Sequence, residues 1–283
     1  MEMTNTEVFE KKYINSIFTA PVRTIYNHDI MNCTSEEVTG NYLYSGRALG
    51  LTDPGDIIQL SPELKTEWPF ITRHYHRIGL SFTRDVIWST DFYYLQEYHD
   101  YKPSFFYYGN NIYSNYENSK FFDIVNYINS KNNFMNIAEA LALPVPQTLR
   151  YETKNAITDT SSIVYPCYLK AAVSVSGVGI YRCASEAELL KALATFDESV
   201  PLQIQEEVQA LSFLNVQYRV THKGVERFAA TDQLLDGFAH KGNSHPTQYP
   251  CWELTDPYAE YLYANGMQGV FAFDVAVSNK DGR

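Results

Sequence analysis

Two spacings of apolar positions run through this chain. Phe121, Ile124, Val125 and Ile128 fall at i, i+3, i+4 and i+7, and Phe134, Ile137, Ala138 and Leu141 repeat the pattern. Such a stripe covers one face of a helix, so two successive helices are predicted. The second stops at "LPVP", because Pro144 and Pro146 cannot continue it. A third helix is predicted from Ser185, where Ser-x-x-Glu ending at Glu188 makes a capping box ahead of Leu189, Leu190 and Leu193. Elsewhere the period is two. Cys167, Leu169, Ala171 and Val173 alternate with Tyr168, Lys170 and Ala172, which places Lys170 on the face opposite the packed one. "PLQIQEEV", "FLNVQYRV", "RFAATDQLL" and "GVFAFDVAV" predict further strands, so the C-terminal third reads as mainly β.

The N-terminal part is less regular. Residues 1–50 are polar and rich in Asn and Thr, and no element is assigned there. From Gly55 onward "GDIIQL", "HRIGLSF" and "DVIWST" are short apolar runs, some joined by helix-length connections. This is the pattern of an α/β domain around a parallel sheet. No G-x-G-x-x-G is present, so a Rossmann-like shape without a bound dinucleotide is expected. Aromatic residues crowd between 91 and 116, among them Phe92, Tyr93, Tyr94, Tyr98, Tyr101, Phe105, Phe106, Tyr107 and Tyr108. They read as a stacking or partner surface or, more plainly, as packing in a strand-rich core and its rim.

Composition narrows the class. With 283 residues, 45% apolar and 19% charged, the chain reads as soluble and globular, with one large or two to three small domains. No apolar run is long enough for a membrane span and no leader pattern opens the chain, so a cytoplasmic location is the default. A formal net charge of -11 without a basic stripe argues against nucleic acid as the partner. Cys33, Cys167, Cys183 and Cys251 are scattered, which signals neither a zinc site nor a disulfide framework.

The chemistry centres on "YLKAAVSVSGVGIYR". Lys170 precedes a loop holding Ser174, Ser176, Gly177 and Gly179, whose backbone N–H groups can fold over a polyphosphate while the lysine adds a positive charge. A surface hairpin with a solvated lysine fits equally well. A Walker loop is absent, and protein kinases place the glycine loop before the lysine rather than after it.

From about Lys131 to Arg283 the order of motifs resembles the ATP-grasp superfamily. "KNNFMNIAEALALPVPQT" is similar to the family's first lysine and following helix, with Lys131 in the lysine position, and Lys170 with "VSVSGVG" is similar to its second lysine and loop. The resemblance implies an adenine-binding hinge at "QIQEEVQA", with backbone around Glu207 and Val208 reading the base and Gln205 or Glu206 near its amino group. It further implies Ser212 at the ribose position, where many members have glutamate, Lys241 facing the terminal phosphate, and Asp274 near the metal. The family's Glu-x-Asn metal pair falls about a dozen residues beyond Asp274, past Arg283, so the chain is expected to be a fragment or to lack part of its catalytic equipment.

The implied architecture is α/β (α+β lid): a pre-ATP-grasp domain at 1–130, a lid at 131–205 and an incomplete C-terminal subdomain at 206–283. The implied activity is an ATP- and Mg2+-dependent ligase acting on a small-molecule carboxylate and amine, possible as a homodimer. A catalytically incomplete nucleotide-binding protein with a regulatory or assembly role, and a plain α/β domain, are the alternatives. Plainer readings stand beside the sharp ones. Asp274 can satisfy backbone at a strand end, and Arg219 can bind phosphate or substrate carboxylate or simply pair with an acid. His74, His76 and His99 read as ordinary residues, the first two on a strand, and Glu206 and Glu207 point to opposite faces.

Overall fold

The computed structural model describes residues 23–30, 40–98, 100–106, 119–174, 179–221, 223–237 and 239–278. The chain divides into two compact units, Met1–Ser119 and Lys120–Arg283.

In the first unit β1 (Thr24–Asn27), β2 (Ile57–Gln59), β3 (Asp85–Ile87) and β4 (Lys102–Phe105) form a parallel sheet in the order β3-β2-β1-β4. β1 is central and its Ile25 is fully buried, although the polar sequence around it gave no sign of a strand. "HRIGLSF" is not a strand. Its His76 and Arg77 end helix α1 (Trp68–Arg77), and Trp68, Ile71 and Tyr75 of that helix pack on the sheet core at helical spacing. His74 and His76 therefore lie on a helix, and His99 falls outside the described residues. Among the described residues no group of three His, Cys, Asp or Glu could hold a metal. In the aromatic stretch Leu95 and Phe105 are buried and Tyr93 is exposed, so the described part supplies both core and rim. At the carboxyl edge of the sheet, Asn27 Nδ2 donates to Gln59 Oε1 (3.0 Å) and to the Thr90 carbonyl (2.9 Å), so buried amides tie β1 to β2 and to the segment after β3.

The second unit opens with α2 (Ser119–Asn129) and α3 (Lys131–Ala140), the two helices their stripes predict. A four-stranded sheet follows: β5 (Thr148–Tyr151), β6 (Cys167–Ala171), β7 (Ile180–Cys183) and β8 (Leu202–Glu206), in the order β5-β8-β6-β7 and antiparallel throughout. Helix α4 (Glu186–Leu193) covers one face, and Cys167, Leu169, Leu189, Leu202 and Ile204 build the core between them. The serine half of its capping box is present, since Ser185 Oγ accepts from the Glu188 N–H, whereas Glu188 Oε2 accepts from the N–H of Ala184, one residue before the cap, at 2.8 Å.

The larger antiparallel sheet has the order β11-β10-β9-β12, from β9 (Ala210–Thr221), β10 (Gly224–Asp236), β11 (Ala239–Ser244) and β12 (Val270–Ser278). Leu214, Val216 and Tyr218 of β9 and Phe273 of β12 face α2, α3 and α5 (Trp252–Ala264) in a single core. The C-terminal third is mainly β, as its alternation predicts, but is interrupted by helix α5, of which the sequence shows no sign. Pro257 sits inside it and hid the helical stripe, yet Tyr258, Ala259 and Leu262 are buried against the sheet, and that burial outweighs the missing backbone bond. No helix among the described residues is long and apolar enough to cross a membrane.

Candidate active site

The β6–β7 hairpin and the start of α3 bring Lys131 and Lys170 together. Lys131 is the first residue of α3, and its N–H donates to the Ala172 carbonyl at 2.7 Å, which joins the helix start to the end of β6. Its ammonium donates to the carbonyls of Ala171 (3.3 Å) and Ser174 (3.1 Å) and to Ser174 Oγ (2.9 Å). Lys170 projects from the face of β6 away from α4, and its ammonium donates to Gln205 Oε1 at 2.6 Å.

Both lysines are partly buried, and burial lowers each from the ordinary 10.5 to about 8; for Lys131 the nearby Lys170 charge adds to the effect. The ion pairs among the described residues run through Arg23, Arg150, Arg182, Arg219, Arg227 and Lys241, not through these two. Two desolvated ammoniums that feel one another's charge and have no carboxylate partner among the described residues could together hold an anion.

The glycine tip is visible at its base. Gly179 adopts φ 69°, a left-handed conformation that favours glycine, and its carbonyl accepts from the Ala171 N–H at 3.0 Å. Ser176 and Gly177 lie outside the described residues.

At the hinge end of β8, strand alternation separates the named side chains. Gln205 shares the Lys170 face, whereas Glu206 is on the other side, where Oε1 accepts from the Gln147 N–H at 2.9 Å. Glu207 accepts two bonds from Arg182 (2.5 and 2.9 Å) and one from Tyr168 Oη (3.2 Å), and Arg182 holds its carboxyl below the usual range. The Glu207 N–H donates to the Pro166 carbonyl, so Val208, in the short link 207–209 to β9, is the next residue whose N–H can face a base.

On the large sheet the named residues scatter. Asp274 stands opposite Asn215, and its Oδ1 accepts from Asn215 Nδ2 (3.0 Å) and Gln233 Nε2 (2.9 Å), so three strands converge on one carboxylate. Ser212 has the strand parity of Leu214 and Val216, opposite to that of Asn215, and its hydroxyl donates to Asp232 Oδ1 at 2.6 Å. Arg219 lies about 13 Å along β9 from Asn215 and pairs with Glu226 at 2.8 Å. Lys241 is exposed on β11, 3.7 Å from Asp236. The cysteines Cys167 and Cys183, opposed across β6 and β7, are free and buried, and burial pushes both thiols up, which disfavours a nucleophilic role.

No family model matches the sequence, and no curated protein matches it. Solved structures do. An N5-carboxyaminoimidazole ribonucleotide synthetase in complex with ADP superposes with a TM-score of 0.64 over 94% of this chain and 69% of that one, at 14% identity. The Staphylococcus aureus N5-carboxyaminoimidazole synthetase complexed with ADP gives 0.63 over 95% and 71%, at 9% identity. The Thermotoga maritima N5-carboxyaminoimidazole ribonucleotide synthetase gives 0.50 over 71% and 55%, at 12% identity. The chain has the ATP-grasp fold. The β5-β8-β6-β7 sheet, spanning residues 148–206, covers most of the stretch that the sequence resemblance implies for a lid, and the parallel sheet precedes it in the chain. The sequence did not single out Thr148, Asn215 or Gln233, which bond to Gln205 or Asp274; only the strand registers reveal them.

Proposed function

We propose that the chain binds ATP and uses it to activate a carboxylate as an acylphosphate that an amine then attacks. The observation that carries this reading is the pair of partly buried ammoniums, Lys131 and Lys170, held side by side under the hairpin without a carboxylate partner. The ATP-grasp fold supports it. In the reaction a carboxylate oxygen attacks the γ-phosphorus, the bond to the β–γ bridging oxygen breaks and ADP leaves. The amine nitrogen then attacks the acyl carbon, the carbon–oxygen bond to phosphate breaks, and the nitrogen gives up a proton.

The protein's part is electrostatic. Lys131 and Lys170 neutralise phosphate charge in a desolvated site, where such contacts are stronger than in water. The β6–β7 hairpin that carries Lys170 would keep water from the acylphosphate. The Val208 backbone, with Gln205 beside it, meets the base. Lys241, exposed and in a long contact with Asp236, is the large sheet's cation for the terminal phosphate.

Magnesium, bound with the nucleotide, supplies further charge neutralisation. Asp274 fits it as a ligand, since a carboxylate is the hard oxygen donor this ion takes and the ion draws most of its other oxygens from phosphate and water. Asn215 and Gln233 both bond Oδ1, which orients the group.

Calorimetric titration with ATP, with and without magnesium, tests the reading. Binding that tightens with magnesium is expected; no binding in either condition overturns it.

A further inference from the structure

The hydrogen bonds behind Lys170 have a fixed direction. An ammonium has only N–H donors, so the atom of Gln205 that meets it at 2.6 Å is the carbonyl oxygen. The amide nitrogen of Gln205 then faces Thr148 Oγ1 at 3.0 Å. Thr148 has a single hydroxyl proton, which it donates to the Pro146 carbonyl at 2.8 Å, so toward Gln205 it can only accept. Reversing the amide would set an NH2 group against an ammonium and a carbonyl against a hydroxyl that has no proton left to give.

Thr148 is buried at the start of β5, opposite Gln205 in the ladder, just after the proline string that ends α3. The segment from α3 to β5 thus carries Lys131 at one end and the orienting hydroxyl for Lys170 at the other.

We infer that Thr148 is a positioning residue: through Gln205 it holds the Lys170 ammonium toward the phosphates of the bound nucleotide. This rests on the ATP reading above. The charged and titratable groups around Lys170 are otherwise accounted for. Lys131 of α3 is held by the Ser174 segment, and the Tyr168 ring of β6 lies 5.8 Å from the Lys170 ammonium. Glu207 after β8 is bound to Arg182 of β7, and Arg150 of β5 is bound to Glu139 of α3. The acceptor for Lys170 is therefore the Gln205 amide, and Thr148 decides which way that amide faces.

The test is calorimetric titration of the full chain with ATP and with inorganic triphosphate, a base-free probe, across neutral to mildly alkaline pH. It compares the wild type with Thr148→Val and Thr148→Ser, with thermal melts alongside. Thr148→Val keeps the shape and removes the hydroxyl. It is expected to weaken both ligands about tenfold, and to lower by about one unit the pH at which affinity begins to fall, since a Gln205 amide freed from Thr148 no longer keeps its carbonyl on the Lys170 ammonium. Thr148→Ser restores both properties. If Thr148→Val does not fold, Gln205→Met removes the acceptor itself and carries the same expectation.

Wild-type affinity and an unmoved pH profile in Thr148→Val overturn the inference and leave the ATP reading standing. An equal loss in Thr148→Ser overturns it as well, because packing would then explain the effect. Failure of the wild type to bind either ligand overturns the ATP reading itself.

Discussion

The two antiparallel sheets of the second unit treat charge in opposite ways. The β5-β8-β6-β7 sheet, with the start of α3, partly buries two cations and gives them only neutral oxygens: the Gln205 amide, the Ser174 hydroxyl and main-chain carbonyls. The β11-β10-β9-β12 sheet presents a carboxylate, Asp274, and surrounds one of its oxygens with carboxamide donors. One surface lacks negative charge and the other supplies it. An anion accompanied by a cation satisfies both, and a nucleotide with its metal has that composition. The contrast also separates contacts that serve ligands from contacts that serve the fold. Arg182–Glu207 and Arg219–Glu226 are already paired, whereas the lysines are not.

The sharpest way to break this contrast is Lys170→Ala. Removing a charge-assisted phosphate contact from a desolvated site should weaken ATP binding about a hundredfold while the melting temperature holds or rises, because a partly desolvated charge without a carboxylate partner has been deleted. Isothermal titration with a parallel melt checks both; unchanged affinity would detach the lid lysines from the nucleotide.

Asp274→Asn should act on the other surface alone. Metal-free ATP binding should persist, while the tightening caused by magnesium should fall by about tenfold. Titrations with ATP at fixed high and zero magnesium resolve this, and an equal loss in both would place Asp274 with the nucleotide rather than the ion.

The smallest effect is one of pH. Lys131 and Lys170 have folded-state values lowered to about 8 against 10.5 in the unfolded chain. Between those values the unfolded chain binds more protons, so stability rises with pH. The electrostatic cost is full below about pH 8 and gone above about 10.5. Nucleotide affinity moves the other way, falling a fewfold as the pH climbs past 8. Melts of the free chain and titrations at several pH values should therefore show opposite slopes.

How much of this could be read from the sequence depends on how local the signal is. Helices α2, α3 and α4 announced themselves because their stripes and the Ser185–Glu188 cap lie within one turn or two. The hairpin was legible for the same reason, as Cys167, Leu169 and Ala171 alternate within one strand. β1 was missed because four residues are too few for a period, and α5 because Pro257 masks one. The histidines of α1 looked strand-borne because His-x-His alternates, while the Trp68, Ile71 and Tyr75 stripe that overrides it is spread over residues 68–75.

Lys170 stands out in the sequence by its place before the loop, and Lys131 only through the family resemblance. Their supporting shell does not. Thr148 meets Gln205 across 57 positions, and Gln233 meets Asp274 across 41, so only strand register brings those pairs together.

The depressed lysines also give the free protein a proton deficit. Desolvation lowers both ammoniums, so under the proposed ATP reading a polyphosphate that binds beside them would raise their proton affinity again. Binding there draws hydrogen ions out of the medium, and its measured heat tracks the ionisation enthalpy of whichever buffer supplies them. Under that reading, ligand binding and proton uptake would be one coupled event.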